Sequence, residues 1–419
     1  MGLKETQRQP GLTTVSRLTL AALIVGLVAG TAMARLGSAG LAAGLAVADP
    51  VGKLWLDALT MTIVPLVFGL LVTGIASAAA SVSGSGVATR AVLWFALLLV
   101  GACLLAAAAA TFALHVYPVP AAATTLHMSA PPQALAAPGD WLTGFIPTNP
   151  IRAAADSAMV PLVVFALFFG LAVVRIEARL QAAILTVFSA VVETMLVIVR
   201  WVLFLAPVGV GALAFGVGAR VGLSAAGALV HYVLIVAGVC LLAALLAYVA
   251  AVVFGRISPL GFARAALPAQ IVAFSTQSSL ASLPAMIAAG PALRVSETSA
   301  SIVLPLAVSL FRAASAAANV AVAVYLAHLH GIALSPGTIL LGALVAVPIS
   351  LAAVGLPAQV SFFATIGPVC IAMGVPLALL PLLLAVETIP DIFRTLGNVT
   401  ADLAVLRIAG AEATDPNEA

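Results

Sequence analysis

Near its C-terminal end the chain reads VETIPDIFRTLGNVTADLAVLR (residues 386–407), where Glu387, Asp391, Arg394, Asn398 and Asp402 follow at spacings of 4, 3, 4 and 4. At ~100° per residue a helix gathers these five side chains within an arc of about 80°. One face of an apolar helix therefore carries acids, an amide and a guanidinium. Arg394 offers a planar donor fork next to the acceptor Asp391. A carboxylate takes such a fork through two hydrogen bonds, and an ammonium takes the acid, so the pair suits a ligand bearing both groups. The plain alternative is an internal Asp391–Arg394 or Glu387–Arg394 ion pair that only holds helices together. A buried pair is weak grounds for stability, so the ligand reading is preferred. Pro390 interrupts the helix hydrogen bonding beside the face and frees a carbonyl there.

The rest of the chain says what surrounds that face. Of 419 residues, 63% are hydrophobic and 7% charged, whereas soluble domains carry roughly a quarter charged residues. No charge occurs between Arg90 and Asp140, between Arg220 and Arg256, or between Arg312 and Glu387. Each gap holds the roughly 20 apolar residues that one membrane crossing needs. A charge at mid-bilayer costs at least ~2.5 kcal/mol, so the polar face must turn to a cavity, a ligand or its own members. Apolar runs predict spans near 16–36, 54–78, 88–115, 157–175, 184–218 and 225–254.

After residue 255 the pattern changes. Apolar stretches too short to span alternate with the clusters AFSTQSSLASLP (273–284), SLFRAAS (309–315) and AAVGLPAQVS (352–361). These fit two re-entrant hairpins and a broken helix, because irregular backbone survives at membrane depth only inside protein or against a cavity. Lys4, Arg8, Arg17, Arg90, Arg175, Arg179, Arg256 and Arg264 fall on one side by alternation, and Tyr117–Ile151 has no Lys or Arg. That asymmetry predicts a bacterial inner-membrane protein with both termini cytoplasmic. The tail after Gly410 is expected to be disordered.

Other chemistries find little support. The net charge of +3 sits near segment ends and implies no nucleic acid. Cys103, Cys240 and Cys370 lie in apolar runs without disulfide or metal spacing. His328 and His330 read as a solvated loop-end pair. No nucleophile elbow or phosphate loop is present, and GSAGLAAG (37–44) lacks the strand a nucleotide fold needs. An enzyme is disfavoured, and no cofactor is expected beyond Na+ or H+ as coupling ion. A channel would show like-charge rings rather than one compact mixed-charge face.

The motifs MTIVPLVFGLLVTGIAS (61–77), IPTNP (146–150), LAPVGV (205–210), TQSSLASLP (276–284) and AVGLPA (353–358) stand beside the last-helix pattern of an acid, then D-x-x-R-T-x-x-N-x-x-x-D. Together they resemble the dicarboxylate/amino acid:cation symporter family over nearly the whole chain. The resemblance implies an all-α polytopic fold of eight transmembrane helices and two re-entrant hairpins, with inverted repeats, assembled as a homotrimer among membrane lipids. It implies a scaffold (1–87 and 116–220) and a transport core (88–115 and 221–409) that slides as an elevator. It implies that Arg394 binds a substrate's side-chain carboxylate and Asp391 its amine, with Thr395, Asn398 and Ser315 lining the pocket. Backbone at Ser278, Ser279 and around Val360 would hold the main carboxylate. Asp402 would ligate a cation, with sodium possible there with carbonyl help from Asn398; the ion-coupling set also includes Glu387, Ala307, Phe311 and Arg312. In C4-dicarboxylate members the position of Asp391 is not acidic, and neutral amino-acid members usually replace the arginine, so an acidic amino acid is expected.

The departures concern coupling. Where the family's seventh span breaks at Asn-Met-Asp-Gly-Thr, this chain has Phe311, Arg312, Ala313, Ala314 and Ser315, and WFALLLVGA (94–102) lacks the hydroxyls of another cation site. Hard cations need oxygen ligands, so one sodium site is expected to be absent. Three roles stand open for Arg312: replacing a bound cation beside Asp402 or Glu387, clamping a second carboxylate, or snorkelling outward. Glu387 and Asp402 are the candidate proton carriers, and proton coupling is expected over sodium alone. Gln359 and fewer glycines alter the second hairpin, and Gln277 replaces an arginine that archaeal members carry.

Overall fold

The computed structural model describes residues 12–36, 38–82, 86–119, 145–222, 224–352 and 358–410. Among these residues the regular structure is entirely helical, as expected where every backbone polar group must be satisfied within its own segment. Six helical stretches are long and apolar enough to cross a membrane, Arg17–Leu36, Gly40–Ala79, Gly86–Val116, Ala178–Phe204, Ala226–Val253 and Glu297–Leu329. The outer surface is greasy (Ile24, Val25, Phe112, Val187, Trp201 and Leu234 are all exposed), whereas Glu387, Asp391, Arg394 and Asp402 are buried. That inside-out arrangement suits a lipid solvent.

Helices α1 (Leu12–Leu36) and α2 (Ser38–Thr60) pack on α8 (Ala206–Val221). The α1–α8 contact is backbone-close. A Cβ at Gly30 would collide with the Phe215 carbonyl, and one at Gly218 with the Leu27 carbonyl. Small residues let helices approach this way where no hydrophobic effect drives them together. Trp55 Nε1 donates to Val202 O at 2.8 Å, and Arg220 meets Asp49 at 2.5 Å. Helices α3 (Ile63–Val82), α6 (Met159–Val173) and α7 (Ala178–Phe204) form a neighbouring group around Phe68, whose ring stacks on Phe165; the short α5 is Pro150–Ala155.

Two of the expected spans are each built from two helices. The segment near 54–78 is not one helix, because α2 ends at Thr60 and α3 starts at Ile63. Thr62 Oγ1 bonds back to Leu59 O at 2.7 Å, satisfying a carbonyl at the break. Likewise 184–218 divides into α7 and α8 at Leu205, with Pro207 in the first turn of α8. Proline cannot donate to the preceding turn, so α8 starts afresh and turns toward α1.

The remaining helices pack around α17 (Thr388–Gly410). Helices α4 (Gly86–Val116), α9 (Ser224–Val253), α10 (Pro259–Thr276), α12 (Glu297–Leu310) and α13 (Ala313–Leu329) all touch it. The segment 273–284 is interrupted as expected. Helix α10 ends at Thr276, Gln277 takes the left-handed conformation (φ 54°), and Ser278 caps α11 (Ser279–Ala288) through its hydroxyl on Ala281 N at 3.2 Å. The two arms pack together as a hairpin. The run 297–329 is broken at extended Phe311 between α12 and α13. Helices α14 (Pro336–Ala352) and α15 (Ala358–Ala372) also pack against each other and on α13. The tip between them, residues 353–357, and the side chains of 352–361, including Gln359 and Val360, lie outside the described residues, as does the tail after Gly410.

Candidate functional site

The last span begins in two pieces. Helix α16 (Leu380–Val386) stops at Glu387, and α17 starts at Thr388. Pro390 accounts for the junction. It has no N–H for the Val386 carbonyl four residues back, so α17 can accept it in its first turn but cannot carry the ladder through. Glu387 therefore sits at a joint deep in the protein, with 0% of its surface exposed.

From that joint a polar face runs down α17. Glu387 forms an ion pair with Arg394 and accepts the Tyr232 hydroxyl of α9 at 2.6 Å. Asp391 lies one turn from both, and it and Arg394 are 5% and 4% exposed. Of the two internal pairings expected, the guanidinium makes the one with Glu387. Asp391 remains within electrostatic reach of Arg394 and Arg312. Thr395 is buried beside them.

One turn further, Asn398 reaches across to the broken span. Its Oδ1 accepts from Ala314 N at 3.0 Å and Ser315 N at 3.2 Å, and its Nδ2 donates to Ser315 Oγ at 2.9 Å. These are orphan amides of the first turn of α13, which Arg312 at the cap position leaves without a side-chain acceptor. The amide of Asn398 is thus committed to the half-helix rather than free toward a pocket. Gly397 makes the approach possible, since a Cβ there would lie 2.6 Å from Ala314 Cβ and 3.1 Å from the Cys240 carbonyl. Asp402, a turn below Asn398, is fully buried, and neither carboxylate oxygen has a hydrogen-bond partner among the described residues. Arg312, at the head of α13, lies within electrostatic reach of it without forming an ion pair.

The other expected residues fall at the margins. Ser278 and Ser279 form the half-buried turn of the α10–α11 hairpin, and α11 packs against α17. Phe311 stacks on Phe95 with centroids 4.6 Å apart, and its N–H takes the Ala307 carbonyl at 2.7 Å. Neither residue brings a side-chain oxygen. The cysteines are buried thiols, and no cluster of three or more His, Cys, Asp and Glu side chains able to hold a metal occurs among the described residues. Sequence reasoning missed Tyr232, whose only signal was a phenol in an apolar run. It also missed Gln270, which donates to Thr400 Oγ1 at 2.9 Å and ties the hairpin to α17. Arg407 donates to the carbonyls of Gly255 at 2.7 Å and Leu293 at 3.0 Å, fastening the far end of α17.

Residues 16–410 match the profile of the sodium:dicarboxylate symporter family. The chain is 29% identical over 378 residues to the proton/glutamate-aspartate symporter of Escherichia coli (strain K12), covering 86% of this chain and 84% of that protein. It is 29% identical over 257 residues to neutral amino acid transporter A of Homo sapiens, covering 58% of this chain and 46% of that protein.

Proposed function

Because this chain belongs to the sodium:dicarboxylate symporter family, we propose that it is a secondary active symporter that takes up an acidic amino acid, aspartate or glutamate, driven by protons. One observation carries the reading. A buried guanidinium, Arg394, is held by the protein's own carboxylate, Glu387, with a second carboxylate, Asp391, one turn away. The Glu387 carboxylate sits on the guanidinium that a substrate carboxylate would need. A zwitterionic acid fits by placing its side-chain carboxylate on Arg394 and its ammonium on Asp391, with Thr395 alongside and the hairpin turn at Ser278 and Ser279 closing over the backbone carboxylate.

Displacement from Arg394 leaves Glu387 as a buried carboxylate whose one remaining partner among the described residues is Tyr232. An unpaired buried charge is costly by several kcal/mol, so a proton taken from water onto Glu387 is favoured as substrate enters. Substrate and proton then bind cooperatively because each relieves the other's penalty. The name of the E. coli relative, a proton/glutamate-aspartate symporter, supports the same driving ion.

The finer architecture follows the same reading. We read eight spans and two re-entrant hairpins built as inverted repeats, with helices packed on α17 moving as one body past the α1–α8 and α3–α6–α7 groups. The protein would work as a homotrimer in the bacterial inner membrane with both termini in the cytoplasm. Uptake of labelled aspartate into proteoliposomes tests the function. Accumulation under an inward proton gradient without sodium is expected. Uptake that follows a sodium gradient at clamped pH and ignores the proton gradient refutes proton coupling, and preference for succinate over aspartate refutes the substrate.

A further inference from the structure

We infer that the surface where α4 and α9 meet, at the end carrying Arg90 and Arg256, binds the headgroup of an anionic phospholipid. The two helices pack side by side and antiparallel. Gly101 of α4 faces Leu246 of α9, where an added Cβ would stand 3.5 Å from Leu246 Cδ2. Nearer the end the Trp94 ring meets the Phe254 ring, with centroids 4.8 Å apart. Phe254 is exposed and Trp94 half-buried. Tryptophan gathers at the membrane–water interface because its ring is greasy and its N–H is polar. Guanidiniums stand on both sides of this ring pair. Arg90 lies one turn before Trp94 on the same face of α4, and Arg256 lies two residues beyond Phe254. Both are exposed, and neither forms an ion pair among the described residues. Deeper along the same faces Leu97 and Leu104 of α4, and Leu242 and Val249 of α9, are exposed and offer an apolar wall to an acyl chain.

The loop that carries Phe254 and Arg256 is fixed in place. Arg407 Nε donates to the Gly255 carbonyl at 2.7 Å. A Cβ on Gly255 would lie 2.5 Å from the Ala251 carbonyl and 2.8 Å from Arg407 Cγ, so glycine is what lets Arg407 in. The next residue, Arg256, holds φ of 49°. Glycine or asparagine is the usual choice for that left-handed position after a helix, because a longer side chain is strained there. A chain needing only the turn has no reason to put a guanidinium on it. The plain alternative is that Arg256 caps the α9 carbonyls, but among the described residues it donates to none of them, and Arg407 takes the one at Gly255. Charge then selects the occupant. At this end of α4, α9, α10, α11, α12 and α17, Arg90, Arg256, Arg264, Arg294 and Arg407 face the acid Glu297, which pairs with none of them among the described residues. The tail after Gly410 brings Glu412, Asp415 and Glu418 but no large apolar side chain, so it suits the arginines and not the rings or the wall above them. A phosphate joined to acyl chains suits all three. Basic sites between spans on the side that the positive-inside rule assigns to the cytoplasm take such headgroups.

The test is a lipid-specific gain in stability. The purified full-length protein is melted in neutral detergent with added dioleoyl phosphatidylglycerol, dioleoyl phosphatidylcholine or inorganic phosphate. Phosphatidylglycerol is expected to raise the midpoint by about 2–3 °C over phosphatidylcholine, and inorganic phosphate to leave it unmoved. Arg90→Gln combined with Arg256→Gln should lose the rise. Arg90→Lys combined with Arg256→Lys should keep most of it, since an ammonium still serves a phosphate as a point charge. Trp94→Ala should cut it by about half. Arg175→Gln combined with Arg179→Gln, at exposed arginines that alternation puts on the same side, should leave it whole. The inference is overturned by a protein blind to phosphatidylglycerol, by an equal rise with inorganic phosphate, by a lysine pair that fails like the glutamine pair, or by an equal loss in the Arg175 and Arg179 control. A rise that emerges only after residues 411–419 are removed gives the arginines to the tail and overturns it too. Should the glutamine pair melt too low to read, each single variant must show a reduced rise, and singles that keep it in full sink the idea. Neither aspartate nor a coupling ion enters the measurement, so its outcome is separate from that of the transport reading.

Discussion

Asn398 holds Ser315 from both ends of its amide, accepting the Ser315 N–H at 3.2 Å and donating to the Ser315 hydroxyl at 2.9 Å. The residue that the sequence places on a ligand-facing surface is thus also the cap of a neighbouring half-helix. The polar face of α17 and the broken span are tied together by this one amide.

Asn398→Ala should therefore cost more than a pocket residue would. It strands the Ala314 and Ser315 amides in a dry environment, and a lost helix cap with unsatisfied donors amounts to about 2 kcal/mol. Ser315→Ala removes one bond of the three and should cost about 1 kcal/mol or less. Melting of the two variants without substrate checks the order. Equal losses would mean that Asn398 does not bear the half-helix.

Tyr232 and Glu387 should couple. Tyr232→Phe removes the hydroxyl that Glu387 accepts at 2.6 Å, leaving a buried carboxylate oxygen unpaired at a cost of about 1–3 kcal/mol. Glu387→Gln alone removes the charge opposite Arg394. It should keep aspartate exchange across the membrane while losing accumulation driven by a proton gradient. A double-mutant cycle should give a coupling of about 1 kcal/mol or more. Proton-driven accumulation surviving in Glu387→Gln would move the proton to another group.

The chain's pattern made some of this legible and hid the rest. The polar face of α17 was readable because helical spacing is local, and a charge in an apolar run must have a purpose. The first hairpin was readable because Ser278 caps and Gln277 turns within a few residues. The break at Phe311 was readable from the cluster SLFRAAS (309–315) in mid-run although no proline or glycine stands there, but its clamp, which comes from residue 398 far along the chain, was not. Helix ends at Thr60 and Leu205 were missed because hydropathy continues unchanged across them, while a single hydroxyl at Thr62 and the ring of Pro207 redirect the backbone. Partner choice was open for a similar reason. Arg394 could meet Asp391 or Glu387 by spacing alone, and the phenol of Tyr232, from another helix, sits on the Glu387 side.

Gln277 offers a test of the hairpin turn. It holds φ of 54°, a conformation free of strain only for glycine. Gln277→Gly should leave stability unchanged or raise it by up to about 1 kcal/mol, and Gln277→Val should lower it by about 1–2 kcal/mol, read from denaturant or thermal unfolding. A valine variant as stable as wild type would show that the turn relaxes by another route.

Gly397→Ala should be disproportionately harmful. The added methyl would lie 2.6 Å from Ala314 Cβ and 3.1 Å from the backbone carbonyl of Cys240, neither of which is a flexible side-chain end. Overpacking of this kind costs about 1–3 kcal/mol. The displaced helix would also lengthen the Asn398 bonds to α13, so binding of aspartate should weaken along with stability.

Asp391 should decide between amino acids and plain dicarboxylates. It is 5% exposed and shares its surroundings with Arg394 and Arg312, and on the proposed reading it is the anionic partner of the substrate ammonium. Asp391→Ala removes that partner while leaving both guanidiniums. Aspartate should then lose at least about 100-fold in affinity, in line with about 3 kcal/mol for one partner of a buried charge pair. Succinate, which has two carboxylates and no amine, should bind as well as before or better, because the site has become more positive. Thermal-shift titration of both solutes on both proteins measures the exchange of preference. Parallel losses for aspartate and succinate would show that Asp391 shapes the site without contacting the amine.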